Sequence, residues 1–212
     1  MKYSKVPEAT IRRLSRYSRC LEELEEKNER VVSSAQLASR CAVNSAQVRK
    51  DLAYFGEFGI RGVGYYVKDL LGDIKRILGS NKEWRMAVIG MGNLGSALFS
   101  YKDFLKQNYK IVAAFDIDPQ RVIGKVSEKL GKPVEVLHIN RIKEIAKERK
   151  IEIALIATPP SEAQSVAQLL VEAEIKGILN FAPTQLTVPE GYVVKDVLFT
   201  TILDNLAYLL SN

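Results

Sequence analysis

The sequence predicts an α/β chain in which a small helical N-terminal domain precedes a doubly wound parallel sheet. Two observations predict the sheet: a buried strand at Met86 runs into a glycine turn and a helix, and strands then alternate with helices as far as Phe181. A third observation, two short helices with explicit start signals before residue 55, predicts the helical domain. We expect domains over 1–80 and 81–198, and a separate C-terminal helix over 199–212.

The positive charge of the chain is concentrated in the first domain. The 212 residues contain 31 Lys and Arg, 25 Asp and Glu, and 47% apolar residues, as in an ordinary globular protein. Residues 1–82 hold 16 of the basic and 10 of the acidic residues, and the remainder holds 15 of each. Such asymmetry predicts a polyanionic partner for the first domain, although a basic face that only meets water gives the same count.

Cysteine usage and hydropathy indicate a cytoplasmic protein without a membrane partner. The two cysteines, Cys20 and Cys41, form no C-x-x-C pair, so we expect free thiols that serve as small packing residues. No apolar run approaches the roughly 18–20 residues that a bilayer-spanning helix needs.

The first helix is predicted to start at Pro7 and Glu8, where proline and an acidic side chain suit the first turn. One face carries an apolar stripe at helical spacing and should be buried. The stripe consists of Ile11, Leu14, Leu21 and Leu24, and the opposite face, which we expect to meet solvent, carries Arg12, Arg13, Arg16 and Arg19.

A helix-turn-helix is predicted over residues 34–54. Ser33 with Gln36 has the pattern of a capping box, and Asn44 with Gln47 repeats it. These signals place helices over about 34–40 and 45–54, joined by a tight turn.

The second of these helices presents a polar outer face that suits DNA. Arginine and glutamine read base edges, whereas lysine and tyrosine suit phosphates or guanine. The regional charge favours this interpretation over a plain α-hairpin with a solvated face. The residues of this face are Gln47, Arg49, Lys50 and Tyr54.

A wing is predicted directly after the helix pair. Glycine-rich turns between Gly56 and Gly64, followed by Tyr65 and Tyr66, indicate a two-stranded hairpin. Arg61 and Gly62 would lie at its tip, where a guanidinium can enter a narrow minor groove. A flexible loop is the alternative. A helix over about 68–78 would complete a winged-helix domain.

The glycine turn has the G-x-G-x-x-G spacing of a dinucleotide site, with Gly90, Gly92 and Gly95. The first glycine allows the turn, the second lets the backbone approach a pyrophosphate, and the third lets the helix pack closely. Asp116 ends the next strand, 21 positions after Gly95, where a carboxylate binds ribose hydroxyls and repels a 2′-phosphate. The pattern favours NAD(H), against an ordinary α/β turn with chance glycines.

Further strands are expected over 134–137, 151–157 and 178–181, with a basic helix over about 140–149 and a helix that Ser161 caps. The alternation predicts a Rossmann domain. Thr158 and Asn180 follow strands that end at the crevice where strand order reverses, and we expect a nicotinamide ring there.

The C-terminal helix is unusually apolar. Over 201–210 its apolar residues cover more surface than a peripheral helix normally shows to water. Docking on a second subunit, with exchange of the helix, and packing on its own sheet both remain open. The residues concerned are Ile202, Leu203, Leu206, Leu209 and Leu210.

The sequence favours a sensor over an enzyme. His138, the one histidine, has no neighbouring carboxylate in sequence to orient it, and no tyrosine has a lysine four positions later. We therefore predict no catalytic residue and no metal site, and a NAD(H)-responsive protein that binds DNA.

The chain resembles the Rex family of redox-sensing transcriptional repressors from end to end. The most specific feature is the pair of V-R-K-D-L and R-G-V-G-Y beside a Rossmann fingerprint. The residues that carry the resemblance are Val6–Ala9, Gln47–Leu52, Phe55–Gly56, Arg61–Tyr65, Gly90–Gly95 and Gly177–Pro183.

The resemblance implies a homodimer with a winged helix at one end, a Rossmann core at the other and a last helix exchanged between subunits. It implies binding to a two-fold-related operator when NADH is low, and release when NADH binds and closes the dimer.

By position, the resemblance also implies site residues. It implies that Arg49 and Lys50 contact DNA in the major groove and Arg61 in the minor groove. It implies that the ribose is held by Asp116 and the pyrophosphate by Gly90, Gly92, Asn93, Leu94 and Gly95. The implied nicotinamide site consists of Thr158, Pro159, Asn180 and Phe181, and Phe199 reaches it from the other subunit.

A relay of cofactor state is implied for Arg19, Tyr101 and an aspartate near the last helix. The family position of that aspartate holds Leu198, and Asp196 lies two residues earlier. Either Asp196 takes the place of that aspartate, or the relay runs through different residues in this chain.

Overall fold

The computed structural model describes residues 6–131 and 133–211 and divides the chain into two compact units, Met1–Lys82 and Glu83–Asn212. The first unit consists of helices packed around one apolar core, with a small antiparallel sheet at its edge. Its elements are α1 (Glu8–Glu26), β1 (Val31–Val32), α2 (Ser34–Arg40), α3 (Ser45–Ala53), β2 (Tyr65–Tyr66) and α4 (Val67–Leu78).

The expected helix-turn-helix forms as its start signals predict. The Ser33 side chain accepts from the backbone N–H of Gln36, and the Gln36 side chain returns the bond, which completes a capping box. Asn44 caps α3 by accepting from the N–H of Gln47 at 2.7 Å. The second capping box is wrong in its other half, because the Gln47 side chain turns to Asp51 instead.

The wing contains one isolated backbone bridge instead of the two paired strands of a regular hairpin. Ile60 and Gly64 exchange backbone hydrogen bonds and leave Arg61 and Gly62 at the tip of the turn. The strand β2 that follows pairs with β1, which precedes the helix pair and was not predicted. Gly64 has a φ of +109°, and a Cβ there would lie 2.6 Å from the carbonyl oxygen of Val32, so only glycine lets the wing lie this close to β1.

The second unit is a six-stranded parallel sheet in the order β5-β4-β3-β6-β7-β8 with helices packed against it, which confirms the doubly wound fold. Strand order reverses between β3 and β6. Its strands are β3 (Trp84–Ile89), β4 (Tyr109–Asp116), β5 (Leu137–His138), β6 (Ile153–Ile156), β7 (Gly177–Asn180) and β8 (Val193–Asp196). Its helices are α5 (Asn93–Phe99), α6 (Asp103–Lys106), α7 (Pro119–Leu130), α8 (Ile142–Arg149), α9 (Pro160–Glu172) and α10 (Phe199–Ser211), with a 3₁₀ turn at Ile139–Arg141.

Three details of this unit differ from expectation. The strand expected over 134–137 is confined to Leu137–His138, and the N–H of Val134 bonds to the Ser127 hydroxyl at the end of α7. Helix α9 begins at Pro160 after Pro159, and the Ser161 side chain contacts Glu162 instead of capping. Strand β8 was missed, because an exposed edge strand of four residues carries little apolar periodicity.

Helix α10 does not pack on its own sheet. No residue from Phe199 to Ser211 is buried, and Leu203, Leu206 and Leu209 are each more than half exposed. This excludes the alternative in which the chain covers the helix itself.

Candidate functional site

A cavity of about 840 Å³ opens at the carboxyl ends of β3, β4 and β6. Parallel sheets bind ligands at this point, where strand order reverses. The cavity brings together six residues that the sequence predicted for a cofactor: Gly90, Gly92, Asn93, Asp116, Thr158 and Pro159.

The glycine turn is shaped by close backbone approach. Gly90 has a φ of +90°, and a Cβ there would lie 2.8 Å from the carbonyl oxygen of Ala157 in the next strand. A Cβ on Gly95 would overlap the Gly90 carbonyl, so the third glycine brings α5 close to the turn. A Cβ on Gly92 would meet nothing within 4 Å, which leaves the cavity open at the second glycine.

Asp116 is held in place by two backbone donors. Its Oδ2 accepts from the N–H of Met91 at 2.7 Å, and its Oδ1 accepts from the N–H of Asp118 at 3.0 Å. Each carboxylate oxygen keeps acceptor capacity for a ribose hydroxyl. Asp116 therefore also fixes the glycine turn, a role that sequence spacing did not indicate.

Thr158 presents an unsatisfied hydroxyl in this cavity. Its Oγ1 is buried and has no hydrogen-bond partner among the described residues. A buried polar group left unpaired costs about 1–3 kcal/mol, so the site favours a ligand with a polar group at this position. This orphaned atom, together with the glycine turn and Asp116, fits a dinucleotide.

Several charged or imidazole side chains in the cavity wall were not predicted as ligand contacts. Arg121 and Lys125 project from α7, and their positive charge opposes the repulsion that Asp116 exerts on a phosphate. Glu162 lines the cavity from α9. His138 lines it from β5, and its Nδ1 accepts from the N–H of Asn140. Arg121 and Lys125 could have been found as residues one turn apart on the helix that follows Asp116.

Two predicted nicotinamide residues do not line the cavity. Asn180 is fully buried, and its amide nitrogen lies near the carbonyl oxygens of Ala182 and Thr184 and 2.8 Å from Oδ1 of Asp196. Its side chain therefore fixes the loop after β7 instead of facing the crevice. Phe181 is half-buried against the apolar core of the sheet. Leu94 and Gly95 also lie outside the cavity lining.

The outer face of α3 and the wing form a second surface. Arg49, Lys50 and Tyr54 are exposed, and Arg49 donates to the Ser34 hydroxyl at 2.9 Å. Arg49 also lines a cleft of about 560 Å³ together with Arg61 and Gly62. The structure thus brings Arg49 of the helix and Arg61 of the wing to one cleft, whereas Lys50 lies outside its lining.

Gln47 does not belong to this outer face. It is half-buried, and its side-chain nitrogen donates to Oδ1 of Asp51 at 2.8 Å. The expectation that Gln47 faces outward is therefore wrong.

Asp51 is the residue that the sequence analysis missed in the first unit. It is fully buried, and Arg13 donates two hydrogen bonds to it, from Nε at 2.6 Å and from Nη2 at 2.7 Å. The hydroxyls of Tyr17 and Thr10 donate as well. Arg13, expected to face solvent with its neighbours on α1, is instead the structural counterion of α3.

Burial alone would raise the pKa of Asp51, but the hydrogen bonds from Arg13, Tyr17 and Gln47 outweigh it and hold the pKa below the ordinary value of 3.8. Burial, with the bond to Asp51, raises the pKa of Tyr17. A signal for this network was present in the sequence, because an aspartate at position 51 shares the buried helical face of Val48 and Leu52.

A comparison with known proteins decides the family. The chain is 53% identical over 211 residues to the redox-sensing transcriptional repressor Rex of Syntrophobacter fumaroxidans, covering 100% of this chain and 99% of that protein. This chain belongs to the Rex family.

Solved structures of a Rex-family repressor, RSP, have the same fold. The complex of RSP with β-NAD⁺ and operator DNA matches with a TM-score of 0.89 and 36% identity, covering 98% of this chain and 93% of that one. The complex with β-NADH matches with a TM-score of 0.82 and 35% identity, covering 98% and 95%. Residues 5–53 also match a family model described as a putative DNA-binding protein N-terminus, and residues 81–184 match one described as a CoA binding domain.

The three residues that the resemblance implies for the relay of cofactor state differ from one another in exposure and in contacts. Arg19 is exposed on α1, and Tyr101 is 53% exposed with its ring edge-on to Phe104 at 5.0 Å. Asp196 ends β8 and accepts from Asn180, whereas Leu198 at the family position is half-buried. Phe199, expected to serve the other subunit, is 58% exposed at the start of α10.

None of the helices in the described part of this Rex chain is long and apolar enough to cross a bilayer. Within residues 6–131 and 133–211, no group of three His, Cys, Asp or Glu side chains is arranged to hold a metal ion.

Proposed function

We propose that this chain is a transcriptional repressor that senses the NADH/NAD⁺ ratio. It binds a two-fold-related operator when NADH is low and leaves it when NADH binds the Rossmann domain and closes the dimer. The identity to a named Rex repressor over the whole chain carries the proposal, since it includes both the winged helix and the cofactor cavity. We assign DNA binding to 1–80, NAD(H) binding to 81–198 and dimerisation to 199–212. Repression requires the protein to share the compartment of the chromosome, and in a bacterium this is the cytoplasm.

DNA binding is assigned to the outer face of α3 and to the wing. Arg49 and Lys50 contact the major groove, Tyr54 a phosphate, and Arg61 with Gly62 the minor groove. The exposure of all five residues supports this assignment. Because Asp51 engages Gln47, we withdraw Gln47 from the base-reading residues.

Cofactor binding is assigned to the cavity beside the glycine turn. The backbone of 90–95 holds the pyrophosphate, Asp116 the adenosine ribose, and Thr158 with Pro159 the nicotinamide end. The oxidised nicotinamide carries a positive charge that the reduced ring lacks. An apolar cover over the nicotinamide end, which Phe199 of a second copy would supply, therefore favours the reduced form.

A CoA site is the second candidate, because residues 81–184 match a model of that description. CoA carries a phosphate on its adenosine ribose, and the Asp116 carboxylate would repel it. Arg121 and Lys125 oppose that repulsion, so direct binding has to decide between the ligands. Protection against thermal unfolding by NADH, and none by CoA, supports the dinucleotide.

Dimerisation is assigned to α10. A helix that exposes leucines on several faces needs a cover, and we propose that a second copy supplies it by exchanging the same helix. Phe199 would then reach the cofactor site of the other subunit. Two winged helices related by a two-fold axis suit operator half-sites that lie one helical turn, about 34 Å, apart.

The hydrogen bond between Asn180 and Asp196 supports Asp196 as the relay aspartate. It joins the end of β7 to the end of β8 at 2.8 Å, so a change in position at the end of β7 can reach the segment that leads into α10. Arg19 and Tyr101 would complete the relay. We propose two dimer states, one that fits the operator and one closed by NADH.

A gel shift at fixed total cofactor, with the NADH fraction varied, tests the proposed function. We expect the operator complex to be lost as the NADH fraction rises, and a tenfold preference requires only about 1.4 kcal/mol. The double variant Arg49→Ala with Lys50→Ala should lose the complex at every ratio, and Arg76→Ala, on α4 and paired with Asp73, should behave as wild type. Complexes that survive saturating NADH and saturating NAD⁺ equally would refute the sensing step.

We also propose that the chain is a regulator and performs no catalysis. The same incubations, extended with a range of carbonyl compounds, should leave NADH absorbance unchanged. Steady oxidation of NADH would revive the dehydrogenase alternative.

A further inference from the structure

The two cysteines of the chain lie against each other in the first unit. Cys20 is on α1 and Cys41 is the residue at which α2 ends and the turn to α3 begins. Both thiols are free, and their sulfur atoms are 2.8 Å apart.

This contact lies within reach of a covalent bond. A disulfide bond joins sulfur atoms at about 2.05 Å, so the two need to approach by less than one ångström. The residues are 21 positions apart in the sequence and come from different elements, so only the fold brings them together.

We propose that Cys20 and Cys41 form a dithiol–disulfide modification site, oxidised by peroxides and restored by thiol reductants. This inference does not depend on the assignment of NAD(H) or DNA to the chain. It adds a second redox-responsive site, in the winged-helix unit, whose chemistry is separate from that of the cofactor cavity.

Because Cys20 is less buried than Cys41, we expect the oxidant to react with Cys20 first and Cys41 to react second. Burial, with the hydrogen bond to Cys20, raises the pKa of Cys41 to about 12, so Cys41 is a poor nucleophile at neutral pH. Cys20 is half-exposed and is the thiol that a small oxidant meets first.

The chemistry balances with peroxide as the two-electron oxidant. The Cys20 thiolate attacks one peroxide oxygen, the O–O bond breaks, and hydroxide leaves with the proton from the thiol as water. The resulting sulfenic acid is attacked by the Cys41 sulfur, which is a weak nucleophile but is held 2.8 Å from its target; the S–O bond breaks, and a second water carries away the Cys41 proton. Two thiols and one hydrogen peroxide thus give one disulfide and two waters.

The bond would staple α1 to the turn that leads into α3. Closing a loop of this length constrains the unfolded chain, so the oxidised unit should be more stable. It also removes both thiols from oxidation to sulfinic and sulfonic acids, which cannot be reversed by thiols. We infer a protective site that keeps the winged helix folded under peroxide stress.

The test is peroxide treatment of the full chain, read by intact mass before and after alkylation. We expect both thiols to become unreactive to alkylation, the mass to fall by two hydrogen atoms, and dithiothreitol to reverse both changes. On a non-reducing gel the oxidised protein should stay at the position of a single chain. Its unfolding temperature should rise by roughly 10 °C or more.

Cys20→Ser is the matched control, because it leaves the more buried Cys41 in place. It should show neither the mass loss nor the temperature rise, and Cys41→Ala should behave in the same way. Uptake of oxygen atoms without loss of two hydrogens, thiols that stay open to alkylation, or a disulfide found only between chains would each overturn the proposal.

Discussion

Asp116 combines two roles in one carboxylate. It accepts a hydrogen bond from the N–H of Met91, which belongs to the glycine turn, and it lines the cavity at the point where we propose that the adenosine ribose binds. Replacing it with alanine would disturb the turn and the ribose contact together. Asparagine keeps an acceptor oxygen for Met91 and removes the charge, so Asp116→Asn isolates the electrostatic part.

We expect Asp116→Asn to raise the affinity for NADPH relative to NADH by about tenfold, equivalent to about 1.4 kcal/mol. The reason is that Arg121 and Lys125 attract a 2′-phosphate once the opposing carboxylate is neutral. Isothermal titration of both cofactors measures the ratio. Glu162→Gln, a neutralisation in the same cavity, is the control and should leave the ratio unchanged. An unaltered ratio in Asp116→Asn would mean that another residue excludes NADPH.

At the scale of elements, a buried carboxylate on α3, that of Asp51, joins this helix to α1. Asp51 binds side chains from both helices, including the two bonds from Arg13. Because its pKa is lower in the folded state, the stability it contributes is present above its unfolded value, near 3.8, and is lost as the pH falls through the folded value.

Asp51→Asn should destabilise the first unit by about 3 kcal/mol near neutral pH, since Arg13 loses a buried counterion. The loss relative to wild type should shrink as the pH falls below the ordinary value of 3.8 and the wild-type carboxylate itself becomes protonated. Calorimetric unfolding of both proteins across this range measures the difference. Glu8→Gln is the control: it removes an exposed ion pair on α1, the helix that carries Arg13, and should cost less than about 1 kcal/mol of stability. A destabilisation that does not vary with pH would contradict the role given to the Asp51 charge.

The elements that the sequence predicted best are those whose signals are local. The capping residues Ser33 and Asn44 fixed the starts of α2 and α3, and the glycine spacing with Asp116 fixed the cofactor turn. What the sequence analysis missed depends on contacts between distant residues. The pairing of β1 with β2 and the bond of Asp51 to Arg13 each join segments more than thirty positions apart, which no helical or strand period can show.

The same reason explains the errors at the cofactor site. Strand ends correctly placed Thr158 at the cavity, but Asn180, at an equivalent strand end, turns to Asp196 on the unpredicted strand β8. A strand end indicates where a residue lies, and its neighbours decide where its side chain points.

At the scale of the whole molecule, α10 exposes an apolar surface that the chain itself does not cover and that we propose a second copy covers. Leu206→Glu with Leu209→Glu should yield single chains, because two charges on each helix would be buried in the proposed interface. Analytical ultracentrifugation measures the mass. Operator affinity should fall by about 10²–10⁴-fold, since two linked half-site contacts become one.

Asn205→Glu adds a charge to the same helix without removing an apolar side chain and is the matched control. It should remain a dimer if the leucines provide the contact. A double glutamate variant that keeps both the dimer mass and the operator affinity would show that another surface joins the subunits.

The exposed α10 also has a genetic consequence. A copy whose winged helix is damaged but whose α10 is intact would still exchange helices with healthy copies. Each such hybrid dimer would carry only one intact winged helix, so the healthy copy within it could not form a dimer with two. In a cell that makes both forms, the damaged allele should therefore be dominant, and deletion of α10 (Phe199–Ser211) from it should render it recessive.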